Sequence, residues 1–190
     1  MLDKPTIVAG VCERASKSQV RADSTLILHL VCVGMDTSGC LPLLLKTALE
    51  DYHKKDALEY VQEVFDFGTD VKFGRWKARR EMLGTRLAAR KFQRKLVFVT
   101  AHSEITRGDL FAGRCAQGHD VSMEVKEVRM ETKCKTSLIG FQFMKCLFGP
   151  SLERVVHGST LFMLTCGPLV TFQDSFLAMK RTIARCVTFL

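Results

Sequence analysis

The sequence is poor in features that assign a protein to a class at once. It holds only 4 prolines in 190 residues, no apolar run of the roughly 20 residues that a bilayer requires, and no amino-terminal basic patch followed by a long apolar stretch. These absences argue against a membrane span and against export. We therefore expect an intracellular, cytoplasmic protein.

Several motifs of cofactor and nucleotide chemistry are also absent. The chain has no Cys-x-x-Cys pair and no Gly-x-Gly-x-x-Gly, and the glycines of segment 34–39 lack the Lys-Ser/Thr end of a phosphate loop. Cys115 and His119 have the spacing of two metal ligands, with Cys134 as a third candidate. Without paired cysteines, a loop thiol and a surface histidine are the favoured interpretation. The sequence predicts neither a metal nor a cofactor.

The chain does contain enough apolar material for one core. Hydrophobic residues make up 47% and charged residues 25%, as in an ordinary globular protein. We expect one α/β domain over residues 1–190, with residues 1–24 as a loosely ordered arm. The 8 cysteines have no regular spacing, which in a chain without an export signal predicts free thiols.

The net charge of +8 is concentrated in one segment. Residues 75–95 contain nine basic residues and a single acid, Glu81, whereas the rest of the chain is balanced. On a helix, Trp76, Leu83 and Leu87 form a narrow apolar stripe. One interpretation is a surface that binds nucleic acid or acidic lipid. The other, favoured because the segment has no pattern of aromatic residues for base stacking and no known nucleic-acid motif, is a solvated crossover helix whose long side chains cover apolar surface. The candidate anion-binding residues are Arg75, Arg79, Arg80, Arg86 and Arg90.

Strand-like and helix-like segments alternate along the chain. The patterns predict strands at Thr25–Val33, Lys95–Ala101 and Ser159–Thr165, an extended arm with a bulge at Val121–Glu131, and helices at Leu41–Tyr52, Asp56–Phe65, the basic segment, Ser137–Phe148 and after Thr171. Strands separated by helices imply parallel pairing, hence a three-layer α/β sandwich with a mostly parallel sheet. The apolar run Cys186–Leu190 resembles the opening of another strand and suggests a sheet truncated at the carboxyl terminus.

Two of the predicted strands end on residues able to do chemistry. The strand at 95–101 is followed by His102 and the strand at 159–165 by Cys166. Because the carboxyl ends of neighbouring parallel strands meet in one crevice, we expect the imidazole and the thiol to lie side by side. An imidazole beside a thiol lowers the thiol pKa and makes it a nucleophile. The sequence therefore predicts a Cys/His dyad.

A strand ending in His, a crossover helix and a later strand ending in Cys resemble the caspase-like cysteine peptidases, including the CHAT domains. The resemblance covers about residues 95–183 and implies His102 as base, Cys166 as nucleophile and Gly167 in the turn that follows. The family usually has glycine after its histidine, where it helps to form the oxyanion hole, and this chain has Ser103. Asp109, in the loop after this strand, is a candidate to border the cleft.

Three hypotheses follow from these patterns. The first is a cysteine hydrolase, a peptidase, that uses Cys166 and His102. The second is a catalytically inactive caspase-like module that binds a peptide or protein partner in the same crevice. The third is a protein that binds polyanions through the basic segment 75–95.

Overall fold

The structure is a computed structural model, and it describes residues 23–103, 105, 109–115, 118, 120–123, 142–166 and 171–186. Six strands and four helices lie within these ranges. The strands are β1 (Thr25–Cys32), β2 (Leu58–Phe65), β3 (Arg94–His102), β4 (Leu110–Arg114), β5 (Asp120–Met123) and β6 (Thr160–Cys166). The helices are α1 (Leu41–Glu50), α2 (Asp70–Ala88), α3 (Gln142–Val156) and α4 (Gln173–Cys186).

Four of the strands form one parallel sheet in the order β2-β1-β3-β6. Every residue of β1 is buried, as expected of a central parallel strand with a nearly continuous apolar sequence. Strands β1, β3 and β6 match the predicted strands to within one residue at each end. The expected α/β class with a mostly parallel sheet is confirmed.

The prediction of a helix over residues 56–65 is wrong, because this segment forms the edge strand β2. Asp56 and Glu59 have the spacing of a capping box, which predicts the start of a helix. Instead, Glu59 Oε2 accepts a hydrogen bond from Arg90 Nη1, just after α2, and Glu63 Oε2 lies 2.5 Å from Arg79 Nε of α2. An edge strand can carry such acids because its side chains have a neighbouring basic helix to pair with.

One face of the sheet carries the main hydrophobic core. This first face is defined by Leu26, Leu28 and Leu30 of β1, and α2 and α3 pack against it. At its centre Phe65 is fully buried among aromatic rings. The ring centroid of Phe65 lies 4.9 Å from that of Phe67, 6.0 Å from that of Trp76 and 5.8 Å from that of Phe143.

Side chains of helix α2 form hydrogen bonds with helix α3 at a kink in α3. Gly149 has φ 53° and ψ 178°, and Pro150 lacks an N–H, so the carbonyl of Cys146 has no donor four residues further along the helix. Trp76 Nε1 donates to that carbonyl at 3.0 Å, and Arg80 Nη1 donates to it as well. The two side chains of α2 therefore satisfy a carbonyl that the kink leaves free.

The helix boundaries differ from the predictions in three places. Helix α3 is interrupted at Gly149, directly after the predicted end at Phe148, and helical structure resumes beyond this kink as far as Val156. Helix α1 ends at Glu50, and Tyr52, expected on its apolar face, is exposed. Helix α2 begins at Asp70 and ends at Ala88, so the last residues of the basic segment leave the helix and enter β3. The final helix lies where the sequence places it.

The second face of the sheet, defined by Thr25, Ile27 and His29 of β1, is more polar. The residues that flank α1 contact it: Cys40 lies beside His29, and His53 Nε2 lies 3.2 Å from Thr25 Oγ1. Towards β6, the ring of Phe98 stacks on that of Phe162 at a centroid distance of 4.7 Å. Phe98 is buried, whereas Phe162 remains 37% exposed.

Strands β4 and β5 form an antiparallel hairpin with a register shift between Phe111 and Gly113. The expected extended arm at 121–131 is a strand over its first three residues, and its remainder lies outside the described residues. The expected amino-terminal arm lies outside them up to residue 22, as does the apolar run after residue 186. Within the described part of the chain, no helix is both long and apolar enough to cross a membrane.

Candidate functional site

His102 and Cys166 end two neighbouring strands of the sheet. Strands β3 and β6 pair in parallel, and their register aligns His102 with Cys166. Neighbouring strands lie about 4.8 Å apart, and positions paired in the register share a face of the sheet. The backbone thus brings the two residues to adjacent positions on the second face, at the carboxyl edge. The side chain of Cys166 lies outside the described part of the structure.

His102 and the residues around it differ in solvent exposure. The imidazole of His102 is exposed and meets the ring of Phe111 edge-on, with 6.2 Å between the ring centroids. Ser103 is buried and forms an antiparallel bridge with Leu110. Asp109 is only 1% exposed, so its side chain does not face an open cleft as expected. Gly167 lies outside the described residues.

The β4–β5 hairpin lies against the carboxyl ends of β1 and β2. The backbone N–H of Phe67, just after β2, donates to the carbonyl of Ala112 at 2.8 Å. Cys32 Sγ, at the end of β1, donates to the carbonyl of Phe111 at 3.6 Å. The hairpin is therefore held beside the strand ends and contributes Phe111 to the surroundings of His102.

The structure divides the predicted anion-binding arginines into three groups. Arg80 is buried and donates to carbonyls of α3, so it does not belong to an exposed basic surface. Arg79 and Arg90 pair with acids of β2. Arg75 and Arg86 are exposed. The free positive charge of this segment is thus smaller than its composition indicates.

A surface cavity of about 530 Å³ lies where α2 and α3 end. Four basic side chains line it together with apolar residues, and no acidic residue does; the basic ones are Arg90, Lys91, Lys95 and Arg154. Lys95 Nζ donates to the carbonyl of Val155 at 2.8 Å and to that of His157, and burial lowers the pKa of its ammonium group. Two of these cations, Arg90 and Lys95, are thus already engaged within the protein.

The second face holds a polar cluster that the sequence patterns above do not predict. His29 is fully buried, its Nε2 lies 2.8 Å from Thr100 Oγ1, and its Nδ1 lies 4.0 Å from Cys40 Sγ and 3.4 Å from Tyr60 Oη. Burial lowers the pKa of this imidazole, which a hydrogen bond with Gln62 partly offsets. The available signal was a histidine in an otherwise apolar strand, followed by a cysteine directly before a Leu-Pro helix start.

Four free cysteines of the described residues differ in burial: Cys32, Cys40, Cys115 and Cys146. Burial raises the pKa of the Cys32 thiol to about 12, with further contributions from Asp66 and Asp120. Burial also raises the pKa of the Cys146 thiol. Cys40 and Cys115 are partly exposed. Reactivity towards reagents in solution is therefore expected at Cys40 and Cys115 and not at the two buried thiols.

No protein-family model, curated protein sequence or solved structure matches this chain. Of the three residues with the spacing of metal ligands, Cys115 is described, and His119 and Cys134 lie outside the described residues. Among those described, no group of three or more His, Cys, Asp or Glu side chains could hold a metal ion.

Proposed function

We propose that this chain is a cysteine hydrolase of the caspase-like kind, a peptidase in which Cys166 is the nucleophile and His102 the base. The single observation that supports this proposal is the parallel register of β3 and β6, which aligns the two residues at the carboxyl edge of the sheet. Chemistry in open α/β sheets takes place at this edge. The proposal includes the three-layer arrangement of that family.

The chemistry requires a thiolate and a proton carrier. His102 takes the proton of the Cys166 thiol, and the thiolate forms a bond to the carbonyl carbon of a peptide. His102 then delivers the proton to the leaving amine as the C–N bond breaks, and water hydrolyses the acyl-enzyme. The exposed imidazole of His102 is accessible to a substrate and to solvent protons.

The test is labelling of Cys166 by an electrophilic thiol probe in the full chain at pH 7, followed by peptide mass spectrometry. A thiol activated by His102 should react at least about tenfold more slowly in the His102→Ala variant, because the base is lost. His157→Ala serves as the matched control, since His157 is an exposed histidine at the amino end of β6. It should leave the rate unchanged.

The same measurement separates the hydrolase from an inactive caspase-like module that binds a peptide or protein partner. An inactive module retains the fold but gives Cys166 the rate of an ordinary exposed thiol. Equal labelling of Cys166 in the wild type and in His102→Ala would therefore overturn the peptidase proposal and leave the binding module.

A second candidate function, polyanion binding, is favoured by the cavity between the ends of α2 and α3. Its lining holds basic residues and no acids, and two of its cations, Lys91 and Arg154, are exposed. Because helix carboxyl ends carry partial negative charge, basic residues there also stabilise the fold. This structural role competes with the binding role.

Retention on heparin at increasing salt concentration tests the second candidate. Replacing Lys91 and Arg154 by Gln should lower the salt concentration of elution markedly, because two phosphate- or sulfate-binding cations are lost from one site. The matched control replaces Arg75 and Lys77, two exposed cations elsewhere on α2. Equal losses in both double variants would indicate nonspecific charge attraction and exclude a site at the cavity.

A further inference from the structure

The cluster around His29 brings a second cysteine next to an imidazole. Cys40 Sγ lies 4.0 Å from His29 Nδ1, which is hydrogen-bonding distance for a sulfur donor. Both residues are well placed by the fold: His29 lies in the central strand β1 and Cys40 is the residue before the first turn of α1. This pair does not involve His102 or Cys166, so its chemistry is independent of the proposed peptidase function.

The hydrogen bonds around His29 are consistent with a basic Nδ1. Tyr60 Oη donates to Gln62 Oε1 at 2.7 Å, so the tyrosine does not donate its proton to the imidazole. In the tautomer with the proton on Nε2, which lies 2.8 Å from Thr100 Oγ1, Nδ1 carries a lone pair. In that tautomer Nδ1 is able to accept the proton of the Cys40 thiol.

The surroundings of Cys40 differ from those of the buried thiols. Cys40 is the N-cap of α1, and its side chain makes no capping hydrogen bond with the helix. The residue is partly exposed, whereas burial raises the pKa values of Cys32 and Cys146.

We propose that Cys40 is a second reactive thiol of this chain, with His29 as its base, and that hydroperoxides oxidise it to a sulfenic acid. Cys40 is partly exposed, so a small oxidant reaches the sulfur, while His29 is fully buried behind it. The polar groups that the structure places against the pair are Tyr60 and Gln62 from β2 and Thr100 from β3.

The oxidation is balanced with the hydroperoxide as the only co-reactant. The thiol proton moves to His29 Nδ1, and the sulfur attacks one peroxide oxygen. An S–O bond forms as the O–O bond breaks, so the sulfur is oxidised by two electrons and the peroxide is reduced. The leaving oxygen takes the proton from His29 and departs as water or an alcohol.

The direct test is oxidation of the full chain by limiting hydrogen peroxide at pH 7. A dione in the reaction traps each sulfenic acid as it forms. Peptide mass spectrometry then compares Cys40 with Cys115, the other partly exposed thiol of the described part. Cys40 should be trapped at least about tenfold faster. Equal rates at the two cysteines would overturn the proposal, whatever the result at Cys166.

The pH dependence of alkylation by iodoacetamide adds a readout that mere exposure does not change. An ordinary thiol reacts about 20-fold faster at pH 8 than at pH 6.5, because only its thiolate reacts. A thiol that transfers its proton to a neutral imidazole should change less than about threefold over this range. A profile for Cys40 that parallels that of Cys115 would contradict the role of His29.

Variants assign the effect to His29. His29→Leu should reduce the rate of Cys40 to that of Cys115, while His53→Leu, at the other end of α1, should not change it. Cys32 and Cys146 report on folding, because they stay unlabelled as long as they are buried. If His29→Leu exposes them, Thr100→Val tests the same network with the imidazole retained, and it should slow Cys40 several-fold. An unchanged rate in a folded variant would exclude His29 as the base.

Discussion

The two faces of the sheet differ in what they contribute. The first face is apolar and aromatic, and its rings pack against α2 and α3. The second face holds His29, Thr25 and Thr100, all buried, as well as the positions of His102 and Cys166. One face therefore supplies most of the core, while the other carries the residues capable of chemistry.

This division has a physical cause. A buried polar group costs free energy unless it is hydrogen-bonded, so polar residues collect where partners are available. On the second face, Thr100 provides such a partner for His29. The first face offers few, and its buried polar contacts are those at the kink of α3, where a carbonyl lacks its helical donor.

The largest expected difference between the faces is in the cost of removing an aromatic ring. Phe65→Ala on the first face should lower the free energy of unfolding by about 3–5 kcal/mol, because a fully enclosed ring leaves a cavity. Phe162→Ala on the second face should cost about 1 kcal/mol, because its ring is 37% exposed and loses mainly its stacking on Phe98. Denaturant unfolding with an unchanged m-value measures both. Equal losses would contradict the proposed division.

The sequence predicts three of the four strands of the parallel sheet. The central strands β1 and β3 have long apolar runs because other elements cover them, and such runs are easily recognised. The edge strand β6 has a similar apolar run. The edge strand β2 is half polar, and its Glu59 and Glu63 pair with Arg90 and Arg79. The capping-box spacing of Asp56 and Glu59 imitates a helix start, and only the tertiary contact of Glu59 with Arg90 explains that acid.

The next expected difference concerns two glycines of α2. A Cβ at Gly84 would lie 2.7 Å from the Cβ of Ser151 in α3 and 2.8 Å from its carbonyl carbon, whereas a Cβ at Gly74 meets nothing within 4 Å. Gly84→Ala should therefore destabilise the protein by about 1–3 kcal/mol by forcing α2 away from α3. Gly74→Ala should stabilise it by about 0.5–1 kcal/mol, because alanine favours the helix.

Thermal unfolding resolves these two glycine variants. For a chain of this size, 1 kcal/mol shifts the Tm by roughly 2–4 °C, so the two variants should move in opposite directions. A Gly84→Ala protein as stable as Gly74→Ala would mean that the helix layer on the first face is not closely packed.

The position of the candidate site could be predicted in part from the sequence. The rule that parallel strands end at one edge places His102 and Cys166 near each other, and the register aligns them. The burial of Ser103 and Asp109 was not predictable, because it depends on the bridge to Leu110. The Cys40–His29 contact joins a loop to a strand, and spacing along the chain carries no signal for it.

The smallest expected effect is a pH dependence that arises on the second face alone. Burial lowers the pKa of His29 in the folded protein, while an unfolded histidine titrates near about 6.5. Between the two pKa values the unfolded chain binds a proton that the folded chain does not. Stability should therefore rise with pH up to about 6.5 and gain nothing further from His29 above it, with a slope of at most about 1.4 kcal/mol per pH unit.

Denaturant unfolding at pH 5.5, 6.5 and 7.5 detects this contribution as a difference between variants. His29→Leu should lose the part of the slope below pH 6.5, because leucine binds no proton in either state. His157→Gln, at an exposed histidine, should retain it. If both variants keep the wild-type slope, His29 does not titrate differently on folding, and the second face owes its polar character to hydrogen bonding alone.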